Sequence, residues 1–179
     1  MTTATSTSSI AAKAAETLDG AASTHHLLTS NKPYATSSFP VYSPSTGKLL
    51  HHFSSASITD TEHAINSAQK AFPAWRSLPP PKKRDIFLRA AETMESRKEE
   101  LMKYCIEETG ATPAWASFNL NLAVDILRDV AGRISSIAGV IPTTAQDGVS
   151  ALVYKEPYGV ILAIAPWNAP FILGVRSIA

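Results

Sequence analysis

An α/β chain is expected here, and three features carry that expectation. The first is Val160-Ile161-Leu162-Ala163-Ile164-Ala165, an unbroken apolar run with Gly159 before it and Pro166 after it. Such a run, rich in β-branched residues, reads as a strand buried on both faces, as in a parallel sheet. Pro166 has no N–H to give a ladder and ends it. The second feature is Pro170, which suits the first turn of a helix whose apolar face begins with Phe171-Ile172-Leu173. The third is a succession of helical patterns upstream. The segment is therefore strand, tight turn, helix. Asn168 sits in that turn, off the carboxyl end of the strand, where open α/β sheets hold their ligands.

Asn168 has two readings on spacing alone. One is a turn or cap residue, since Asn bonds its own backbone readily. The other is a side-chain amide aimed at an oxygen that gains negative charge during a reaction. Both stand at this point.

Composition narrows the field. A chain of 179 residues is enough for one domain with a sizeable core. Apolar residues make up 45% and charged residues 17%, ordinary for a globular protein. Sixteen basic and fifteen acidic side chains leave a net charge of +1, which favours neither nucleic acid nor an anionic membrane as partner. One cysteine makes no internal disulfide, and a reducing compartment is the easier home. No apolar run is long enough to span a bilayer.

Residues 1–31 are rich in Ser, Thr and Ala and nearly free of large apolar side chains, the composition of a disordered leader. They lack the apolar middle of a secretory signal. With no Arg, and with Glu16 and Asp19, they do not match a transit peptide either, so the cytoplasm is expected. His25-His26 and His51-His52 are adjacent pairs that diverge on a helix or strand. No Cys or acidic partner stands at ligand spacing, and no metal site is expected.

Phe39 to Ser43, a turn at Pro44 to Gly47, and Lys48 to Phe53 read as a β-hairpin, with Pro40 marking an edge strand. Thr59 and Glu62 form a capping box for a helix with Ala64, Ile65, Ala68, Ala71 and Phe72 on one face. Pro73 and Pro79 to Pro81 then punctuate the chain. Lys82-Lys83-Arg84 reads as the wet side of a helix entry, because no interleaved aromatic follows to suit nucleic acid. Ile86, Phe87, Ala90, Ala91 and Met94 recur at helical spacing. Glu99-Glu100 opens the next helix, and Gly110 stops it. Cys105, the single thiol, lies in the middle of that helix without a helix start or base to activate it, and reads as a small core residue.

Thr112 and Pro113 begin a long amphipathic helix with a core stripe of Trp115, Phe118, Leu122, Ile126, Val130 and Ile134. Gly139 to Gly148 is a turn-rich connector, and Ser150 to Glu156 reads as a strand able to pair across a surface. After Pro170, helical spacing sets Ala169, Ile172, Leu173 and Arg176 on one face. Arg176 is then either a cation placed to meet a phenolic oxygen or a surface arginine.

Lys155 to Val160, followed by Ala165 to Pro170, closely resembles the signature of the aldehyde dehydrogenase superfamily, and Pro166-Trp167-Asn168 after such a strand is specific. The resemblance covers nearly everything after the first thirty or so residues. Glu108 to Thr112, Arg128 to Ile134 and Ile172 to Arg176 match the branch that oxidises salicylaldehyde, vanillin and similar aromatic aldehydes. The resemblance is to the family's amino-terminal part, which implies an incomplete α/β fold: helices plus the first strands of a Rossmann-like cofactor domain, over residues 32–179. Residues 150–156 would belong to an oligomerisation strand, implying a homo-oligomer.

The implied chemistry is oxidation of a small-molecule aldehyde with NAD or NADP. By resemblance Asn168 is the side-chain oxyanion donor. Ile164, Ala165, Pro166 and Trp167 would lie along the cofactor, and Phe118 and Leu122 would help wall the substrate tunnel. Together with Ala169, Ile172, Leu173 and Arg176 these are the expected substrate contacts. The family's nucleophilic cysteine and base glutamate have no counterpart here, and Cys105 does not stand in for the former. The chain alone is expected not to turn over aldehyde. Two other readings are a non-catalytic relic that pairs with a full-length relative through the strand around Val153, and an unrelated small α/β binding module.

Overall fold

The computed structural model describes residues 37–179 in full, together with the backbone of Thr24–His25, Leu27–Thr29 and Lys32–Tyr34. The leader expected over residues 1–31 lies outside the described residues, apart from the short strands β1 (Thr24–His25) and β2 (Leu27–Thr29). The chain divides into two compact units, Met1–Ala64 and Ile65–Ala179.

In the first unit, β2 pairs antiparallel with β3 (Lys32–Tyr34). The expected hairpin is present as β4 (Ser37–Tyr42) and β5 (Leu49–Ser55), antiparallel from Ser37↔Ser55 to Tyr42↔Leu49. Its turn closes with Ser43 N–H donating to Lys48 O at 2.9 Å and Gly47 N–H donating to Ser43 O at 2.8 Å. Gly47 has φ +68, a backbone that side-chain-bearing residues rarely adopt. β1 joins the far side of β5 in parallel, so the order β1-β5-β4 leaves β4 at an edge, where Pro40 withholds no needed donor.

Helix α1 (Ile58–Ser77) begins earlier than its expected cap. Ser57, not Thr59, is the capping residue: its Oγ accepts Asp60 N–H at 3.1 Å, while the Asp60 carboxylate takes the Ser57 N–H at 2.8 Å. Ser57 and Asp60 offer the reciprocal spacing as soon as β5 ends, so the helix starts there. These bonds from Ser57 hold the Asp60 pKa below its ordinary value. Pro73 does not break α1 as expected, because it forfeits a single rung and the helix runs on to Ser77.

The second unit is helical. Helix α2 (Pro80–Ser96) is followed by α3 (Lys98–Thr109), which stops at Gly110 with φ +71, as expected. Thr112 caps α4 (Pro113–Arg133) by accepting Trp115 N–H at 3.2 Å. A short 3-10 turn, Ile134–Ser136, follows, and α5 (Pro170–Ile178) closes the chain. Of the basic run, Lys83 sits 5.6 Å over the Trp75 ring and Arg84 pairs with Asp85.

The core forms where α2, α4 and α5 meet, from Ala91, Ala123, Val124, Leu127 and Val175, with Phe87, Met94 and Phe171 packed around them. The buried stripe of α4 is Ala116, Leu120, Ala123, Leu127, Ala131 and, just past its end, Ile134. The stripe expected from large residues is therefore displaced. Trp115 and Phe118 are exposed and Leu122, Ile126 and Val130 half-buried; of the six only Ile134 is buried. Alanines let neighbouring helices approach closely, and the helix turns that small-residue face inward.

Two strand expectations change. Val160 to Ala165 is neither helix nor paired strand, and Leu162 and Ile164 stand 86% and 81% exposed. A strand is made by its neighbours, and among the described residues none pairs with this run. The strand expected over 150–156 reduces to one antiparallel bridge, Val140↔Val153, with N···O distances of 3.1 and 2.9 Å. Gly139 beside it is required: a Cβ there would lie 2.3 Å from Val153 O. Among the described residues no helix is long and apolar enough to cross a membrane.

Candidate functional site

The site is built around the turn that precedes α5. Pro166 and Pro170 lack N–H groups, and Ala169, the residue before the helix, gives it no side-chain cap. The turn is therefore held from outside, by α4. Trp115 Nε1–H donates to the main-chain oxygen of Asn168 at 2.8 Å. One helical turn along, Asn119 Oδ1 accepts Ile172 N–H at 3.0 Å. Asn119 is fully buried, and its Nδ2 has no partner among the described residues.

Asn168 is exposed, and its side chain makes no hydrogen bond among the described residues. Its carbonyl is tied down while its amide is available to a ligand. Trp115 and Phe118 form an exposed aromatic pair at the same end of α4, with ring centroids 5.4 Å apart. Leu122, one turn further along, is half-buried. Two grooves, of about 650 Å³ along α3 and about 270 Å³ between Glu95 and Arg128, are not lined by Asn168.

The remaining expected residues scatter. Ala169 and Ile172 are each 7% exposed and turn toward the helix interior, with Val175 as the third member of that face. Leu173 is half-buried and Arg176 exposed, so the inward face of α5 is centred one residue away from the register that would set Arg176 among apolar neighbours. Ile164 and Trp167 stand 81% and 74% exposed, continuing an open apolar strip from Val160. Between Val160 and Pro170 the sequence holds no Lys, Arg or Gly, so the strip carries no cationic side chain. Cys105 is buried, as expected of a core residue, with Thr109 Oγ1–H donating to its carbonyl at 2.6 Å. Among the described residues no His, Cys, Asp and Glu group of metal-binding size occurs.

Sequence reading missed the parts played by Trp115 and Asn119. The available signal was Asn119 itself, a polar residue set among apolar ones one turn after a tryptophan.

A helical platform thus carries an exposed amide on a proline-bounded turn. The profile of the aldehyde dehydrogenase family matches residues 31–179, and the chain belongs to that family. It is 40% identical over 156 residues to a vanillin dehydrogenase of Pseudomonas sp. strain HR199, covering 86% of this chain and 32% of that one. A salicylaldehyde dehydrogenase from Pseudomonas putida G7, solved with salicylaldehyde, superposes with a TM-score of 0.81 at 26% identity, over 88% of this chain and 33% of that one. An NAD-dependent benzaldehyde dehydrogenase from Corynebacterium glutamicum gives 0.79 at 29% identity, over 86% and 34%. The chain thus spans about a third of the length of the relatives it matches.

Proposed function

We propose that this chain is the amino-terminal part of an enzyme that oxidises an aromatic aldehyde to its carboxylic acid with NAD or NADP, and that Asn168 is its side-chain oxyanion donor. The observation that supports this is the pinned turn: the Asn168 carbonyl is held by Trp115, and its amide is left exposed and unpaired. A donor fixed in advance stabilises developing charge without reorganising when the charge appears. The nicotinamide cofactor supplies the hydride acceptor. Ile164, Ala165, Pro166 and Trp167 would flank it, giving an apolar wall that excludes water beside the reacting carbonyl.

Cys105 is 3% exposed and lies within α3, unsuited to attack a substrate. The attacking thiolate and the carboxylate base are therefore assigned to residues outside this chain, which by itself does not turn over aldehyde. Phe118, exposed at the Asn168 end of α4, is the substrate contact best supported by position, and half-buried Leu122 stands one turn further along. Arg176 remains a contact for a ring hydroxyl from the solvent edge of α5, whereas Ala169, Ile172 and Leu173 act by shaping the helix beneath. A homo-oligomer pairing through residues 150–156, in the cytoplasm, completes the reading.

The test is Asn168→Ala in a full-length enzyme carrying this segment. It should lower kcat about 10²- to 10³-fold on benzaldehydes with the fold intact. Undiminished kcat would remove Asn168 from the site, and rapid turnover by the present chain alone would refute the division of labour.

A further inference from the structure

We infer that Trp115 is a positioning residue for Asn168, acting through the main chain of the turn, with Asn119 fixing the turn's other end. The inference rests on the reading of Asn168 as oxyanion donor.

The geometry is a two-point clamp. Trp115 reaches Asn168 O at 2.8 Å and Asn119 reaches Ile172 N at 3.0 Å, and each link joins residues 53 positions apart. A step of four along α4 is thus matched by a step of four from the turn into α5. The turn has little to hold it otherwise, since both its prolines lack donors and Ala169 provides no cap. Trp115 is itself held: its backbone N–H goes to Thr112 Oγ1 at 3.2 Å, and its ring lies against Phe118 at 34°. Asn119 works in one orientation only, because a flipped amide would set Nδ2 donors against the Ile172 N–H. The clamp grips backbone atoms at 168 and 172 and leaves the Asn168 amide to point where the substrate oxygen charges. Small displacements of such a donor weaken catalysis while leaving substrate binding nearly unchanged.

Trp115→Phe keeps a ring on Phe118 and removes the indole N–H. In a full-length enzyme carrying this segment, with benzaldehyde as substrate, it should lower kcat about three- to tenfold and leave KM within about twofold. In the Asn168→Ala background the same substitution should have no further effect on kcat. An equal loss in both backgrounds, or a loss confined to KM, would overturn the positioning role while leaving Asn168 in place. A fully active Asn168→Ala enzyme would overturn both. A second measurement uses the present chain: amide hydrogen exchange over residues 167–173 should quicken in Trp115→Phe while α2 and α3 keep their protection. Unaltered exchange in the turn would also sink the inference.

Discussion

Asn119 Oδ1 lies 3.0 Å from the backbone nitrogen of Ile172, so a side chain of α4 caps a helix that has no cap of its own. The first N–H groups of a helix have no internal partner, and one left unpaired in a buried place is expensive. Asn119→Leu fills similar space and removes the acceptor. It also deletes Nδ2, which has no partner among the described residues, so the net loss falls near the low end, about 1 kcal/mol. Urea unfolding checks this: the midpoint should fall with an unchanged slope.

Gly139→Ala meets a backbone obstacle. Its Cβ would stand 2.3 Å from the Val153 carbonyl oxygen, closer than any tolerated contact. The two segments cannot yield without parting, so the Val140↔Val153 bridge should open. Faster amide exchange at Val140 and Val153 is the expected result; protection equal to the parent would contradict it.

The Ser57–Asp60 cap makes the start of α1 sensitive to acid. Hydrogen bonds from the Ser57 backbone and hydroxyl lower the Asp60 pKa. A carboxylate with a lowered folded-state pKa stabilises above its ordinary value, and that contribution is lost as pH falls through the lowered one. The first turn of α1 should therefore loosen in that acid window. Ser57→Ala removes the hydroxyl and keeps the backbone N–H, the larger cause, so it should raise the Asp60 pKa only part of the way toward its ordinary value in a carbon-detected NMR titration. No rise at all would show that the hydroxyl plays no part in the shift.

Cys105 should behave as a packed side chain. At 3% exposure, with no base or helix start beside it, it should react slowly with a thiol reagent in the folded chain and rapidly in denaturant. Equal rates in the two states would show that α3 does not protect it.

Local signals were legible from sequence. Thr112-Pro113 as a helix start, Gly110 as a stop and the turn through Gly47 each depend on one residue's own stereochemistry. The inward face of α4 was misread because large side chains at 115, 118 and 122 looked like a core stripe. The helix instead buries Ala116, Ala123 and Ala131, whose small size lets its neighbours close in. The 160–165 run was read as an interior strand from composition, but a ladder needs a partner, and pairing cannot be read from one segment. Asn168 was visible as a turn residue off that run. Its anchors were not, since both links cross 53 positions and arise only once α4 and α5 are packed.

The uncovered run from Val160 to Ile164 has a further consequence for handling the chain. Uncharged, exposed and rich in β-branched residues, it has the makings of a self-adhesive tape between molecules. Refolding yield should drop as concentration rises, and a holdase chaperone would be expected to grip the polypeptide at this tape. Replacing Leu162 with lysine should restore the yield at high concentration without touching the helical core.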